Sequence, residues 1–249
     1  MIRRRRLIAF LAAFGFAAFL ALGVPRYGAG SADEKRRFDP TDRYERKQIE
    51  GWNVLVNKDF LARNPELADR TLELLRFQLY QIGRVVREKS LDDLKKITIW
   101  VEENEPHHPC MAYHPDAGWL RDHDMNPDKA RCVEIANAKT FLSWTIEQPW
   151  MVLHELAHGY HHQFLKNGFQ NREVLDAFRS AMKKELYKRV VYFNGSEKEA
   201  YATTNQQEYF AEASEAFLGT NDFYPFVRAE LKKHDPKIEA LLRTIWRGE

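Results

Sequence analysis

Apolar positions along this chain change from strand-like spacing in the first half to helix-like spacing in the second. Short apolar or alternating runs at residues 52–57 (WNVLVN), 96–103 (KITIWVEE) and 132–138 (CVEIANA) predict three β-strands. Between the first two runs, Pro65 opens a long segment whose apolar residues recur at helical spacing, which predicts a long helix.

Helical spacing continues through the C-terminal part of the chain, after a predicted loop at 104–131. Predicted helices cover residues 148–166, 173–191, about 205–218 and 236–246. Strands that come early and helices that come late are typical of the α+β class. We therefore expect a small mixed β-sheet beside a helical C-terminal part.

The N-terminus has the pattern of an export signal. Arg3–Arg6 form a basic block, and Leu7–Val24 is an uncharged apolar run followed by small residues. Residues 1–32 are therefore predicted to be a signal peptide, or a signal anchor that tethers the chain to a membrane through residues 7–24. The chain is expected to be exported: secreted, periplasmic, or anchored and facing outside. Residues 33–50 are predicted to be a charged linker, and residues 51–249 one folded domain.

The net charge changes when the leader is set aside. Five of the 38 basic residues and none of the 36 acidic residues lie in residues 1–32, so the remainder has 33 basic residues against 36 acidic ones. The alkaline isoelectric point therefore belongs to the leader. No basic patch indicates a nucleic-acid partner.

The chain has two cysteines, Cys110 and Cys132. In an exported protein such a pair predicts a disulfide, and this one would contribute about 3 kcal/mol in the chain-entropy model. The alternative is a metal site that combines these thiols with His107 or His108, but the spacing differs from that of structural zinc sites.

The segment MVLHELAHGYHH, residues 151–162, contains an HExxH pattern within a predicted helix. His154 and His158 are four positions apart and share one helix face, so both imidazoles can reach one metal ion. Glu155 lies about 100° further round the helix. It can therefore accept a proton from a metal-bound water instead of binding the metal.

A catalytic zinc site usually needs a third protein ligand. The metzincin pattern would require glycine and histidine where His161 and Phe164 stand, so it fails. Glu173 is one candidate. Glu208 and Glu212 are better candidates because they share a helix face: one can bind the metal while the other accepts the ring N–H of a ligating histidine.

HELAH at 154–158, followed about fifty residues later by YATTNQQEYFAE at 201–212, resembles the anthrax toxin lethal factor-like metallopeptidases. This gluzincin group includes the Pro-Pro endopeptidases. The resemblance covers residues 148–220, and Leu156-Ala157 stands where the family commonly has an aromatic residue and glycine. The family's toxin targets do not transfer to a chain that lacks its delivery domains.

The resemblance implies a zincin-like fold for residues 51–249 and an exported, zinc-dependent endopeptidase acting on a peptide or protein substrate. The resemblance also implies that one Zn²⁺ per chain is bound by His154, His158 and Glu208. A zinc-activated water would attack the peptide bond, with Glu155 as general base and Tyr201 as oxyanion donor. Glu212 would orient a ligating histidine. Zincin relatives also align an extended peptide along an edge strand, for which 132–138 is the candidate.

Two alternatives remain open. One is an exported, non-catalytic binding protein with a structural zinc site, and the other is a thermolysin-like peptidase that uses Glu173 as its third ligand. The remaining histidines and one glutamate are given structural roles. We expect packing or surface positions for His161 and His162, and solvent-exposed positions for His107, His108, His114, His123 and Glu215.

Overall fold

A computed structural model describes residues 38–249 of the chain. The predicted export signal, residues 1–32, lies outside the described residues. Within 38–249, no helix combines the length and apolarity needed to cross a bilayer.

A five-stranded mixed sheet has the strand order β1-β2-β3-β5-β4. Its strands are β1 (Tyr44–Ile49), β2 (Trp52–Asn57), β3 (Ile99–Val101), β4 (Met111–Tyr113) and β5 (Val133–Ile135). The three central strands β2, β3 and β5 are parallel, while β1 and β4 are antiparallel edges. The residues of the central strands are almost all buried because both faces of the sheet are covered.

The parallel step from β2 to β3 requires a crossover, and three helices supply it. They are α1 (Lys58–Arg63), α2 (Pro65–Val85) and α3 (Glu88–Leu94). α2 buries Leu75, Leu79 and Ile82 in the main core, which lies on one face of the sheet. A smaller group on a second face contains Tyr44, Leu55 and Trp100.

The C-terminal part is mainly helical. It contains α4 (Ala117–Asp122), α5 (Ala138–Trp144), α6 (Met151–Phe164), α7 (Arg172–Lys183), the hairpin β6 (Val190–Val191) and β7 (Glu197–Lys198), α8 (Gln206–Leu218), α9 (Arg228–His234) and α10 (Pro236–Leu242), followed by a π-helical turn, Arg243–Arg247. The predicted α+β class is confirmed. The helix predicted over 173–191 is shorter, because its last residues form β6 instead.

Part of the predicted linker 33–50 is a strand. Residues Tyr44–Ile49 form β1, and the turn to β2 uses Glu50 and Gly51, both with positive φ (51° and 89°). Only Tyr44 of this strand is buried. Charged residues are common on edge strands because they discourage pairing with other chains, which explains why the segment has the composition of a linker.

The predicted disulfide between Cys110 and Cys132 is wrong, since both residues are free thiols. The register of β4 against β5 explains why. The backbone of Cys110 faces Ala136, whereas that of Cys132 faces His114, so the two cysteines are four ladder positions apart. That is roughly 13 Å along the strands, well beyond the reach of a disulfide.

Candidate metal centre

Helix α6 brings His154, Glu155 and His158 to the sheet. Gly159, the next residue, makes the close approach possible. A Cβ atom there would lie 2.7 Å from Ile97 Cδ1 and 3.2 Å from the ring of Tyr113 on β4. A hydrogen side chain at this position therefore lets the helix lie directly against the sheet.

Helix α8 supplies the carboxylate that faces these histidines. Its N-cap is Asn205, whose side-chain oxygen accepts hydrogen bonds from the backbone N–H groups of Gln207 (2.8 Å) and Glu208 (2.9 Å). This cap places Glu208 in the first turn of α8. Because α8 packs against α6, that turn lies beside the histidines.

Three donor atoms from the two helices converge. Glu208 Oε2 lies 3.1 Å from His154 Nε2 and 3.2 Å from His158 Nε2. Ligand bonds of about 2.0–2.1 Å in a tetrahedral zinc site place neighbouring donor atoms roughly 3.3 Å apart. The spacing and the nitrogen–oxygen chemistry of the donors therefore fit a zinc ion.

Charge strengthens this arrangement. Burial raises the pKa of Glu208. The charge of His158 and the hydrogen bonds from both histidines outweigh burial and lower the pKa of Glu208 well below its usual range. Glu208 is therefore an ionised carboxylate, the form that binds a metal.

Glu173, the alternative third ligand, is exposed on α7. Within the part of the chain that the structure describes, two groups of donor atoms could hold a metal ion. One is His154, His158 and Glu208, and the other is His154, Glu212 and Glu215. Neither group contains Glu173.

The carboxylate beside His154 Nδ1 is not the one that the resemblance implies. His154 Nδ1 lies 2.7 Å from Glu215 Oε1, and Gln148 Nε2 donates to the same oxygen at 3.1 Å. Glu215 is fully buried, so the prediction that it is solvated is wrong. Glu212, which was expected to make this contact, instead accepts a hydrogen bond from Asn221 Nδ2 at 3.0 Å. The sequence offered a signal for Glu215: its apolar neighbours in α8 make a solvated carboxylate there improbable.

Glu155 is held by the sheet. The backbone N–H of Tyr113 donates to Glu155 Oε2 at 2.8 Å. The backbone groups of Cys110 and His114 face β5, so by alternation those of Met111 and Tyr113 face the free edge. The edge strand beside the helix is therefore β4. The prediction that the segment 132–138 forms the edge strand is wrong. This segment contains β5, which lies inside the sheet because β4, three residues within the predicted loop, pairs with its outer side.

Tyr201 begins the 3₁₀ turn Tyr201–Thr203, directly before α8, and remains 41% exposed. Burial of its hydroxyl, followed by the negative charge of Glu208, raises the pKa of Tyr201 to about 12. The charges of His154 and Glu155 also act on it. The phenol therefore lies near the donor cluster and keeps its proton at neutral pH.

Four of the other histidines are buried or half-buried, whereas His107 and His123 are exposed as predicted. His161 is fully buried between Phe169 and Phe210, and burial lowers its pKa to about 3. His162 stacks on Phe169 with 4.6 Å between ring centroids. The prediction of solvated loop histidines is wrong for His114, which is buried with its Nε2 2.6 Å from Glu134, and for His108, which is also buried.

Comparisons with known proteins give one likeness to report. No protein-family model matches the chain, and no curated protein sequence matches it. Among solved structures, the chain is similar to the Pro-Pro endopeptidase PPEP-2 from Paenibacillus alvei, with 16% identity and a TM-score of 0.39 over 80% of this chain and 100% of that one.

Proposed function

We propose that this chain is an exported zinc metallopeptidase of the lethal factor-like type, with one Zn²⁺ bound by His154, His158 and Glu208. The observation that carries the proposal is the meeting of these three donors from helices α6 and α8 at zinc-compatible spacing, beside an acidic residue that is not a ligand. Export is inferred from residues 1–32 alone.

The proposed mechanism divides the chemistry between the bound zinc, Glu155 and Tyr201. Bound zinc would supply a Lewis acid and lower the pKa of a coordinated water to around 7. Glu155 would accept the proton from the attacking water and pass it to the leaving amine. Tyr201 would donate its phenolic hydrogen to the carbonyl oxygen as negative charge develops there.

The free edge of β4 suits an extended peptide. The outward backbone groups of Met111 and the outward carbonyl of Tyr113 can pair with a peptide backbone by strand addition. Helix α6 packs against β4, so a peptide on this edge would run beside the catalytic helix. The proposed substrate is therefore a peptide or an extended segment of a protein.

The rival from another class is an exported binding protein that uses the same ligands for a structural zinc. Such a protein needs neither an acid beside the ligands nor a protonated phenol next to them. In this chain Glu155 follows His154 in α6, and the charges of Glu208 and His154 act on the hydroxyl of Tyr201. This combination favours a peptidase.

The test is Glu155→Gln in the full chain, assayed on a peptide library with and without a chelator. We expect the variant to bind one zinc per chain, as the wild type does, and to lose at least about 10³-fold in turnover because the general base is gone. Glu173→Gln, on the exposed face of α7, is the matched control and should change neither property. Chelator-resistant cleavage, or full turnover by Glu155→Gln, would refute the proposed function.

A further inference from the structure

Helix α8 presents two buried carboxylates beyond Glu208, at Glu212 and Glu215. At 100° per residue, Glu215 lies only about 20° from Glu208 round the helix, whereas Glu212 lies about 40° away on the other side. Glu208 and Glu215 therefore form one stripe, about 10 Å apart along the axis. The imidazole of His154 bridges this stripe, with Nε2 3.1 Å from Glu208 and Nδ1 2.7 Å from Glu215.

We propose that Glu215, not Glu212, is the positioning residue for the metal ligand His154. This inference rests on the proposed function. A carboxylate at Nδ1 keeps the proton on that nitrogen, which leaves the Nε2 lone pair directed at the site, and it fixes the ring plane. Glu215 reaches the metal only through His154 and does not touch substrate.

The surroundings of Glu215 suit this role. The carboxylate is fully buried and its Oε1 accepts two hydrogen bonds, one from His154 and one from Gln148 Nε2 at 3.1 Å. Gln148 precedes α6, so the contact joins the start of the helix that carries the histidines to the middle of α8. The imidazole is therefore held from both helices.

The surroundings of Glu212 indicate a different role. Its hydrogen bond comes from Asn221, whose Nδ2 also donates to the carbonyl of Phe223. Glu212 thus fastens the chain segment that follows α8. Two glutamates three positions apart on one helix therefore have separable tasks, and each serves as the control for the other.

The experiment compares Glu215→Gln with Glu212→Gln in the full chain, measuring zinc affinity by competition with a chelator. We expect a 10- to 100-fold weaker zinc affinity for Glu215→Gln, the usual cost of losing a partner of a ligating histidine, and a change within about threefold for Glu212→Gln. Proton NMR of the zinc-loaded chain should show the Nδ1–H of His154 as a downfield, slowly exchanging resonance in the wild type and in Glu212→Gln, and as an upfield, faster-exchanging one in Glu215→Gln. A purely structural role would not change this resonance selectively.

A second variant guards against loss of folding in Glu215→Gln. Gln148→Leu removes the amide that holds Glu215 and should weaken zinc binding about threefold, with the Nδ1–H resonance of His154 retained. Equal or greater loss of zinc affinity in Glu212→Gln, or unchanged affinity in both Glu215→Gln and Gln148→Leu, overturns the assignment while the proposed function stands. If the wild type binds no zinc, the proposed function fails, and this inference fails with it.

Discussion

Two buried clusters of charged side chains differ in the groups that pair with their carboxylates. The lysine cluster consists of Lys129, Glu102, Glu134 and His114, and it lies against the rings of Tyr44 and Trp100. Lys129 Nζ donates to Glu102 at 2.7 Å and also to Glu134. Burial opposes ionisation of Glu134, but the hydrogen bond from His114 and the charge of Lys129 lower the pKa of Glu134 to about 2.

The histidine cluster consists of His154, His158, Glu208, Glu212, Glu215 and Asp222. Among the described residues, Glu208 and Glu215 form ion pairs only with histidines. Unlike the lysine cluster, this one leaves oxygens without hydrogen-bond partners, namely Glu215 Oε2 and Asp222 Oδ1. Burial raises the pKa of Glu212 well above its usual range and that of Asp222 to about 7.

The difference lies in what pairs with the buried carboxyl groups. A buried charge is tolerated when it is paired and hydrogen-bonded, as Lys129 is. Among the described residues, the ion pairs of the histidine cluster involve histidines and neither lysine nor arginine. A divalent cation bound there, as proposed above, would add positive charge beside these carboxyl groups.

The largest expected effect on the free energy of unfolding follows from removing the positive charge of Lys129. We expect Lys129→Met to cost about 3–5 kcal/mol in free energy of unfolding at pH 7, because it leaves two buried carboxylates without their partner. The ionised form of Glu134 stabilises the fold above its ordinary pKa of 4.5, and that contribution is lost as pH falls towards its folded pKa of about 2. The cost should therefore shrink between pH 7 and pH 3.

Urea unfolding at both pH values measures this cost. Lys188→Met is the control, since Lys188 pairs with Glu185 at 2.6 Å on the surface and its loss should leave the free energy of unfolding almost unchanged. Equal costs for the two lysines would show that the buried cluster is not held by its charge balance.

The next largest effect concerns the histidine cluster. Under the proposed function, zinc at 100 times its dissociation constant should stabilise the chain by about 2.7 kcal/mol, because a ligand that binds only the folded state stabilises it. His154→Ala should abolish this gain. Thermal unfolding with zinc or with chelator tests it, and an equal gain in His154→Ala would place the bound ion elsewhere.

A smaller effect is a pH dependence in the metal-free chain. The folded pKa of Asp222, about 7, lies above its ordinary value of 3.8, so stability is lost as pH rises from about 4 to 7. Asp222→Asn should remove a loss on the order of 1–2 kcal/mol between pH 5 and pH 7.5. Urea unfolding with chelator present provides the measurement. The same slope in the variant and the wild type would contradict the value for Asp222.

The smallest effect on stability is expected for Tyr201→Phe, within about 0.5 kcal/mol, because the side chain is partly exposed. Its kcat should nevertheless fall about 10²–10³-fold with zinc content unchanged, since the oxyanion donor is lost. Tyr80→Phe, at an exposed position on α2, is the matched control. Unchanged kcat in Tyr201→Phe would remove this tyrosine from the mechanism.

Sequence patterns predicted the long elements well and the short ones poorly. α2, α6 and α8 have enough residues for apolar periodicity to emerge, and the HExxH pattern depends on one helix only. β4 has three residues inside a segment with loop composition, and β1 has the charges of an edge strand. Strands this short are defined by pairing with distant residues, which local composition does not encode.

The errors at the site and at the cysteines have the same origin. The contact of Glu215 with His154 depends on how α6 and α8 pack, which the sequence does not show. The sequence prediction therefore relied on the four-residue spacing from Glu208, which favoured Glu212. The expected disulfide failed because the register of β4 against β5 separates the two thiols. Charge in the loop suggested solvent for His114, although Glu134 and Lys129 form a buried network with it.

Because Gly159 has no side chain, helix α6 can approach Ile97 and Tyr113 closely. With the helix backbone in contact with Ile97 and Tyr113, the acid at 155 is fastened to a strand while the neighbouring imidazoles belong to the helix. A larger residue at this position would move Glu155 and the imidazoles by different amounts. The position of Glu155 relative to His154 and His158 thus depends on the space that one absent side chain leaves between the helix and the sheet.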